Sequence, residues 1–517
     1  MTILQSPIKA LEPQLRALLP ADLYVDVRLD PSPENLMRVF EHLRTLYRIL
    51  FDYMPRHITE KHPLPGEVQH SWHESTLMFT DLAGFTPLLE ANAIYGQAGA
   101  SNLLEILNHY FGTMLEIVSK SGGHLLEFTG DALLVEFPHS RYHNSVEQAV
   151  RAGIRMQRAM SEFANIQVPN GALSLGMRIG IHDGHYMMAH IGTPRRMEQV
   201  LLGTTVRHTK IAEGAGKIGH VCLTREAYIG LEEVFSVEAC PNDVAHHVLI
   251  VDDVTEEDLG EYELSAFNTR RSPSPLVMDR SVEGLTSTVA DSTQQVESLA
   301  CYLPFPVLNF LVENAARRVI SPTFLDLTVM FVTIIGLSEK VDNIQSDQET
   351  ALISQFSHVF ALINAAVEAR GGVLKHVTYH LEGADMLIYF GMPNSHADDS
   401  GRAAHTSLVI RDIVSGTQSS LDENEHLITR IGITHGPVFA AEVGEQRGRR
   451  EWNVLGDTVN TAARIMAKAA PNQILLSESV YHSIWQTFDC APQRERLLLK
   501  GKSRGIPVFE LMNILEE

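Results

Sequence analysis

Apolar residues recur every three to four positions through Leu36, Val39, Phe40, Leu43, Leu46, Tyr47 and Leu50, which predicts an amphipathic helix with one face to bury. The period then changes. Ser75 to Thr80 is β-rich and meets a turn at Asp81 to Gly84, and a long helix is predicted around Leu103 to Ser119, with Leu104, Leu107, Phe111, Leu115 and Val118 on one stripe. Gly122-Gly123 ends it. The run from His124 to Phe137 splits at Gly130-Asp131, a two-residue hairpin signal. Another helix is predicted over about Val146 to Phe163 and a strand over Leu173 to His182. A tight hairpin cannot join parallel strands, so the plan is an α/β (α+β sandwich) unit with a mixed or antiparallel sheet.

The plan occurs twice. FTDLAGFT (Phe79 to Thr86), LLEFTGDALLVEF (Leu125 to Phe137) and VLLGTTVRHTKIA (Val200 to Ala212) are answered by FVTIIGLS (Phe331 to Ser338), LEGADMLIYFG (Leu381 to Gly391) and NVLGDTVNTAARI (Asn453 to Ile465). Gly84 to Gly130 is 46 residues against 47 for Gly336 to Gly383, and Gly130 to Gly203 and Gly383 to Gly456 are both 73. Agreement at three places implies duplication of a whole domain, since solenoid repeats have periods of only ~20–50 residues. The expected organisation is a helical lead-in over 1–70, a first domain over 71–268, a linker and lead-in helix over 269–324, and a second domain over 325–511. RRSPSP (Arg270 to Pro275) and the Ser/Thr/Asp/Gln-rich stretch to Ser298 read as flexible linker. Helical periodicity resumes over Cys301 to Ile320. Its YLPFPVLNFL resembles LLPADLYVDV (Leu18 to Val27) in placement, so the duplicated unit is expected to include a short lead-in helix.

With 517 residues and 44% hydrophobic, the chain has apolar content for two or three domains. A formal charge of −22 argues against a nucleic-acid-binding surface, which needs clustered Lys and Arg. Cys222, Cys240, Cys301 and Cys490 form no CxxC pair or zinc spacing, so they read as buried small groups in a reducing, cytoplasmic setting. No N-terminal signal is evident. The most apolar run, Leu327 to Leu337, is 11 residues, shorter than the ~20 of a membrane helix, and reads as a central strand. The 24 histidines show no HExxH or other ligand spacing, so core or surface placement is the default.

Asp81 ends a hydrophobic strand just before a helix, and Asp131 sits at the tip of a hairpin beside that strand. Two carboxylates on adjacent loops at a sheet edge can bind one or two Mg²⁺ ions and leave positions for phosphate oxygens. Ala83 to Thr86 would open a helix whose free N–H groups face the same place. Taken singly, a strand-end Asp reads as a helix cap and a hairpin Asp as a turn residue.

FTDLAGFT, the GDA hairpin and LGDTVNTAAR together resemble the class III nucleotidyl cyclase catalytic domain, and their tandem arrangement is similar to soluble, bicarbonate-responsive adenylyl cyclases. The resemblance covers Ser71 to Leu511 and implies two domains paired head to tail as a pseudo-twofold intramolecular heterodimer. It implies metal binding by Asp81, Asp131 and the carbonyl of Leu82, with Phe85 and Thr86 at the phosphates. From the second copy it implies Asn460 for the ribose, Arg464 for charge on the α-phosphate, Asn453 for the adenine amino group, and Lys500 or Lys502 for the terminal phosphates. The implied reaction converts ATP to 3′,5′-cyclic AMP and pyrophosphate with two Mg²⁺ or Mn²⁺ ions and no membrane span.

The other side is degenerate: Thr333 and Ala384 stand where Asp81 and Asp131 do, and Arg207 and Ile211 stand where Asn460 and Arg464 do. At the positions that resemble the bicarbonate-binding lysine and arginine this chain has Glu127 and Lys210. They are expected to pair, leaving bicarbonate activation weak or absent. The lysine that selects adenine falls at Lys375-His376: gapless alignment puts His376 there, a one-residue bulge would restore Lys375, and His376 could donate to a ring nitrogen instead. ATP is favoured over GTP. Gly501-Lys502-Ser503 lacks the glycine-rich loop of a P-loop. Arg447 to Arg450 reads as a solvated hairpin tip. The alternatives are an inactive nucleotide-binding pseudo-cyclase with regulatory partners, a cyclase using GTP, and a structural scaffold.

Overall fold

This computed structural model describes residues 10–61, 63–168, 171–260, 279–317, 320–379, 382–418, 426–445, 448–493, 496–497 and 505–515. The lead-in comprises helices α1 (Glu12–Leu18), α2 (Ala21–Leu29), α3 (Pro33–Tyr53) and α4 (Arg56–Lys61). The first unit then runs β1 (Gln69–Ala83), α5 (Phe85–Ala93), α6 (Gly96–Lys120), β2 (His124–Thr129), β3 (Ala132–Pro138), α7 (Ser145–Ala159), β4 (Ile166–Val168), β5 (Gly171–Leu173), β6 (Gly176–Thr193), β7 (Arg196–Leu202), α8 (Thr204–Ala215), β8 (Val221–Thr224), α9 (Arg225–Tyr228), β9 (Val237–Ala239), β10 (His247–Ile250) and α10 (Glu256–Leu259). Helices α11 (Val282–Ala300) and α12 (Phe305–Asn314) lead into the second unit. It runs β11 (Thr323–Ile335), α13 (Glu349–Ala369), β12 (Val373–Tyr379), β13 (Ala384–Phe390), α14 (Asp399–Ser415), β14 (Ile428–Gly444), β15 (Arg450–Leu455), α15 (Asp457–Met466), β16 (Ile474–Ser477), α16 (Glu478–Ile484), β17 (Phe488–Pro492) and β18 (Val508–Ile514).

The two main sheets share one topology. The first is ordered β2-β3-β1-β6-β8-β10-β9 with β7 on β6, and the second β12-β13-β11-β14-β16-β18-β17 with β15 on β14. Among the described residues only the β6–β8 and β14–β16 pairs are parallel, so each sheet is mixed. The apolar run from Leu327 lies in β11 as far as Ile335, and that strand has neighbours on both sides.

The units exchange arms. Phe439, Ala441, Val443 and Leu455 of β14 and β15 join the core beneath the first sheet. Met187, Ala189, Ile191, Val200 and Leu202 of β6 and β7 join the core of the second. Each unit thus completes the other's apolar interior, which fixes their relative placement by burial rather than by surface charge.

Three expectations are revised. Of the stretch expected to be flexible linker, Arg270 to Pro275 lies outside the described residues, and the part to Ser298 contains α11, whose Leu285, Val289, Val296 and Leu299 are buried against the α3 side. Composition hid it, because its hydroxyls do not compete with the helix: Thr286, Thr288, Ser292 and Thr293 each donate back to the carbonyl four residues earlier. Second, α13 is long and apolar enough by length and composition to cross a membrane. Its Leu352, Ile353, Phe356, Val359, Phe360 and Ile363 are buried in the second core. Third, Arg449 and Arg450 are not a solvated tip. Arg449 donates to the Tyr53 carbonyl, and Arg450 lies 3.6 Å from both Asp52 and Glu442, so this basic run anchors the end of α3. Arg447 lies outside the described residues. The four cysteines are free, three of them buried and Cys490 partly so.

Candidate active site

Asp81 sits near the end of β1, paired across to Arg178 on β6, whose guanidinium bonds its carboxylate. The same guanidinium holds Glu213 of α8 through Nε at 2.8 Å. On the other side of β1, Thr80 faces Leu133, and its hydroxyl accepts from the Leu133 N–H at 3.2 Å. That contact seats the β2–β3 hairpin tip beside Asp81. Gly130 makes the tip with φ of 71°, a conformation glycine reaches without steric cost, and Asp131 follows it, partly buried. The Asp131 carboxyl is pushed up to about 7, first by burial and then by the charge of Asp81. Two carboxylates placed so that the charge of one raises the other fit a cation between them. Beneath them the buried Tyr110 phenol is also pushed up, first by burial and then by Asp131 and Asp81.

Helix α5 opens right after Gly84 with no side chain capping its N–H groups. Phe85 turns its ring into the first core, so it can offer the site only its backbone, whereas Thr86 remains partly exposed. Leu82 likewise buries its side chain.

The second unit arrives through β15 and α15. The buried Asn453 donates from Nδ2 to the Gly130 carbonyl at 3.1 Å. A Cβ built on Gly130 would lie 3.8 Å from Leu455 Cδ2, and one on Gly456 would lie 3.4 Å from Leu89 Cδ1 of α5. These contacts set the start of α15 against the hairpin tip and α5. Four-residue spacing puts Asn460 and Arg464 on one face of α15, both partly exposed. Among the described residues neither side chain has a hydrogen bond or ion pair. Helix α15 lies close on β14, since a Cβ on Gly432 would come within 2.4 Å of the Met466 nitrogen.

Strand β12 has the bulge that would reposition Lys375: its register against β13 slips between Leu374 and His376. The first copy slips identically between Leu125 and Glu127. Lys375 is nevertheless not free, because its ammonium pairs with Glu451 and its carbonyl accepts from Arg196 at 3.1 Å. His376 is pushed down to about 3 by burial and by the adjacent Lys375 charge, so its ring is neutral, and its Nδ1 has no hydrogen-bond partner. Lys375, His376, Glu127, Arg449 and Glu451 line one cavity at the seam, beside Tyr53 and Tyr302 from the two lead-ins. Asn453 lies two residues beyond Glu451, on the same face of β15. Lys500 and Lys502, and the Gly501-Lys502-Ser503 run, lie outside the described residues.

On the degenerate side the Thr333 hydroxyl bonds Asp385 and contacts Met466 Sδ at 2.7 Å. The expected Glu127–Lys210 ion pair is not formed. Lys210 reaches past Glu127 to the Tyr379 carbonyl at 2.5 Å, and Glu127 Oε2 has no hydrogen-bond partner. Their influence is through space: burial raises the Glu127 carboxyl and the Lys210 charge opposes this most. At the start of α8, Asp342 accepts from the Thr204 N–H at 2.6 Å. Sequence reasoning missed Arg178 and Asp342, whose partners lie 97 and 138 residues away in the chain.

Comparison with known proteins bears on both units. Residues 68–245 and 319–512 match the family described as adenylate and guanylate cyclase catalytic domain. Adenylate cyclase type 10 of Oryctolagus cuniculus is 24% identical over 458 residues, covering 88% of this chain and 27% of that protein. The Homo sapiens protein of the same name is 23% identical over 418 residues, covering 80% and 25%. The chain therefore spans about a quarter of the length of these relatives. Among solved structures, a class III adenylyl cyclase-like ATP-binding protein from Pseudomonas aeruginosa shares the fold, with a TM-score of 0.55 at 12% identity over 86% of this chain and 92% of that one.

Proposed function

We propose, from the premise that this chain belongs to the family of adenylate and guanylate cyclase catalytic domains, that it converts ATP to 3′,5′-cyclic AMP and pyrophosphate at one composite site. The observation that carries this reading is the division of chemistry across the seam. Paired carboxylates come from one unit and two unpartnered polar side chains from the other, joined by the Asn453–Gly130 hydrogen bond. The names of the relatives that match both units support ATP as substrate.

Asp81 and Asp131, with the Leu82 carbonyl, would hold Mg²⁺ or Mn²⁺, and the elevation of Asp131, first by burial and then by the Asp81 charge, supports the fit of the pair to such ions. Bound there, the ions supply charge neutralisation on phosphate oxygens and activation of the 3′-hydroxyl. Arg178 steadies Asp81. The uncapped start of α5 donates N–H groups to phosphate oxygens. Asn460 orients the ribose so that the 3′-oxygen lies in line with the α-phosphorus, and Arg464 neutralises charge that grows there as the bond to pyrophosphate breaks. Lys500 or Lys502 takes the terminal phosphates. Asn453 with Lys375 or His376 meets the base.

One observation favours a second reading, a nucleotide-binding module without turnover: Lys375 is engaged by Glu451, and Asn453 already spends an N–H on Gly130. Incubating the full chain with ATP and Mg²⁺ or Mn²⁺, and measuring cyclic AMP and pyrophosphate, decides between them. Equal amounts of both products are expected. No product with either ion from ATP or GTP rejects the enzyme, and tight ATP binding without turnover then establishes the second reading. Bicarbonate should change the rate little, because the position that would face it holds Glu127.

A further inference from the structure

We propose that His182, His208 and Glu226 form a site for a Zn²⁺-class transition-metal ion on the first unit, separate from the Asp81–Asp131 pair. One ring nitrogen from each histidine and one Glu226 carboxylate oxygen lie within 4.8 Å of one another. In a tetrahedral site with bonds of ~2.0–2.1 Å such atoms sit about 3.3 Å apart, a gap that small side-chain rotations close. The residues are 26 and 18 positions apart in the chain, which is why no local motif announces them.

The surroundings are those of ligands rather than of stray polar groups. His182 is buried on β6, and its Nδ1 meets the Thr224 hydroxyl at 2.7 Å. When Nδ1–H donates there, Nε2 keeps its lone pair for an ion, the arrangement by which an outer hydrogen bond orients a metal-binding imidazole. Thr224 is itself fixed, since its hydroxyl caps α9 by accepting from the Ala227 N–H at 3.3 Å. The His208 ring packs edge-on against that of His182 at 4.9 Å between centroids. Among the described residues neither the His208 nor the Glu226 side chain has a hydrogen bond or ion pair. Glu226 is exposed, which leaves a fourth position for water.

The duplication provides an internal comparison. The sheet registers and the paired glycines Gly203 and Gly456 align these residues with Thr434, Thr461 and Ser479 of the second unit, which supply no such set. Thr224 is matched by Ser477. The scaffold is thus repeated, while the ligands occur only in the unit whose helix lacks the Asn460 and Arg464 equivalents. An ion here would fasten α8 to β6 and α9. The same helix carries Glu213, which holds Arg178, which in turn holds Asp81.

The test uses the full chain, stripped with chelator and held in excess Mg²⁺ to occupy the carboxylate pair. Titration with Zn²⁺ alone should give one bound equivalent, and Co²⁺ should give a four-coordinate spectrum without thiolate charge transfer. His208→Ala and Glu226→Gln should each weaken Zn²⁺ at least tenfold and remove the Zn²⁺-dependent rise in melting temperature. No bound equivalent in excess Mg²⁺, a thiolate band, or unchanged affinity in both variants overturns the proposal. The Co²⁺ spectrum of the unaltered chain reads the ligand set directly, so it decides the matter even if a variant misfolds.

Discussion

Replacing Arg464 with alanine should separate catalysis from stability. The guanidinium is partly exposed on α15 and has no protein partner among the described residues, so folding gains little from it. A substitution of that kind stays within about 0.5 kcal/mol, or roughly 1–2 °C of melting temperature at about 2–4 °C per kcal/mol for a domain of this size. Its proposed task is to meet charge that exists only as pyrophosphate departs. Removing one such donor lowers turnover by ~10²–10³, about 2.7–4 kcal/mol of transition-state stabilisation. Arg464→Lys keeps the charge but loses the planar fork, and should fall between alanine and the native residue. Steady-state cyclic AMP formation in Mg²⁺ or Mn²⁺, read beside a thermal melt, gives both quantities from one preparation. Turnover in Arg464→Ala within fivefold of the native chain would refute the assignment. So would a melting temperature lowered by about 5 °C or more, since the arginine would then be holding the fold.

Asp131→Asn should lower Mn²⁺-supported turnover at least a hundredfold and leave the melting temperature unchanged or higher, because it removes a carboxyl that burial and Asp81 push up to about 7; a strongly destabilised variant would mark Asp131 as a turn residue instead. Glu127→Gln should flatten the pH dependence of stability. Burial raises the folded Glu127 carboxyl above its unfolded value near 4.3, so its contribution is fully present below the unfolded value and is lost as pH rises through the raised one. Melting curves from pH 4 to pH 8 should show the native chain losing stability relative to the variant, and parallel curves would contradict the sign.

The placement of candidate residues that lie in short local runs was readable from the chain. Asp81 closing a β-rich run, Asp131 after Gly130, and Asn460 and Arg464 one helical turn apart carry their geometry in adjacent residues, and the structure brings these runs to one seam. Side-chain destinations over long separations were not readable. Whether Lys375 reaches the base or Glu451 depends on a bulge and on a strand 76 residues away, and Lys210 bypassed Glu127 for a carbonyl that only the folded seam brings near. Helix α11 escaped because serine and threonine usually signal linkers, yet here their hydroxyls return to the helix's own carbonyls. The His182, His208 and Glu226 group was invisible for the opposite reason: each residue alone is ordinary, and only the packing of α8 and α9 on β6 collects them.

The carboxylate of Asp342 at the start of α8 bears on stoichiometry. A helix start attracts anions through its free N–H groups, and on this side one of them is already taken by a side chain of the same polypeptide. An incoming phosphate would have to displace a tethered competitor whose local concentration no ligand in solution matches. With that helix start held by its own chain, the proposed composite site leads to the expectation of one nucleotide per chain and a simple hyperbolic saturation curve, read by equilibrium binding of ATP.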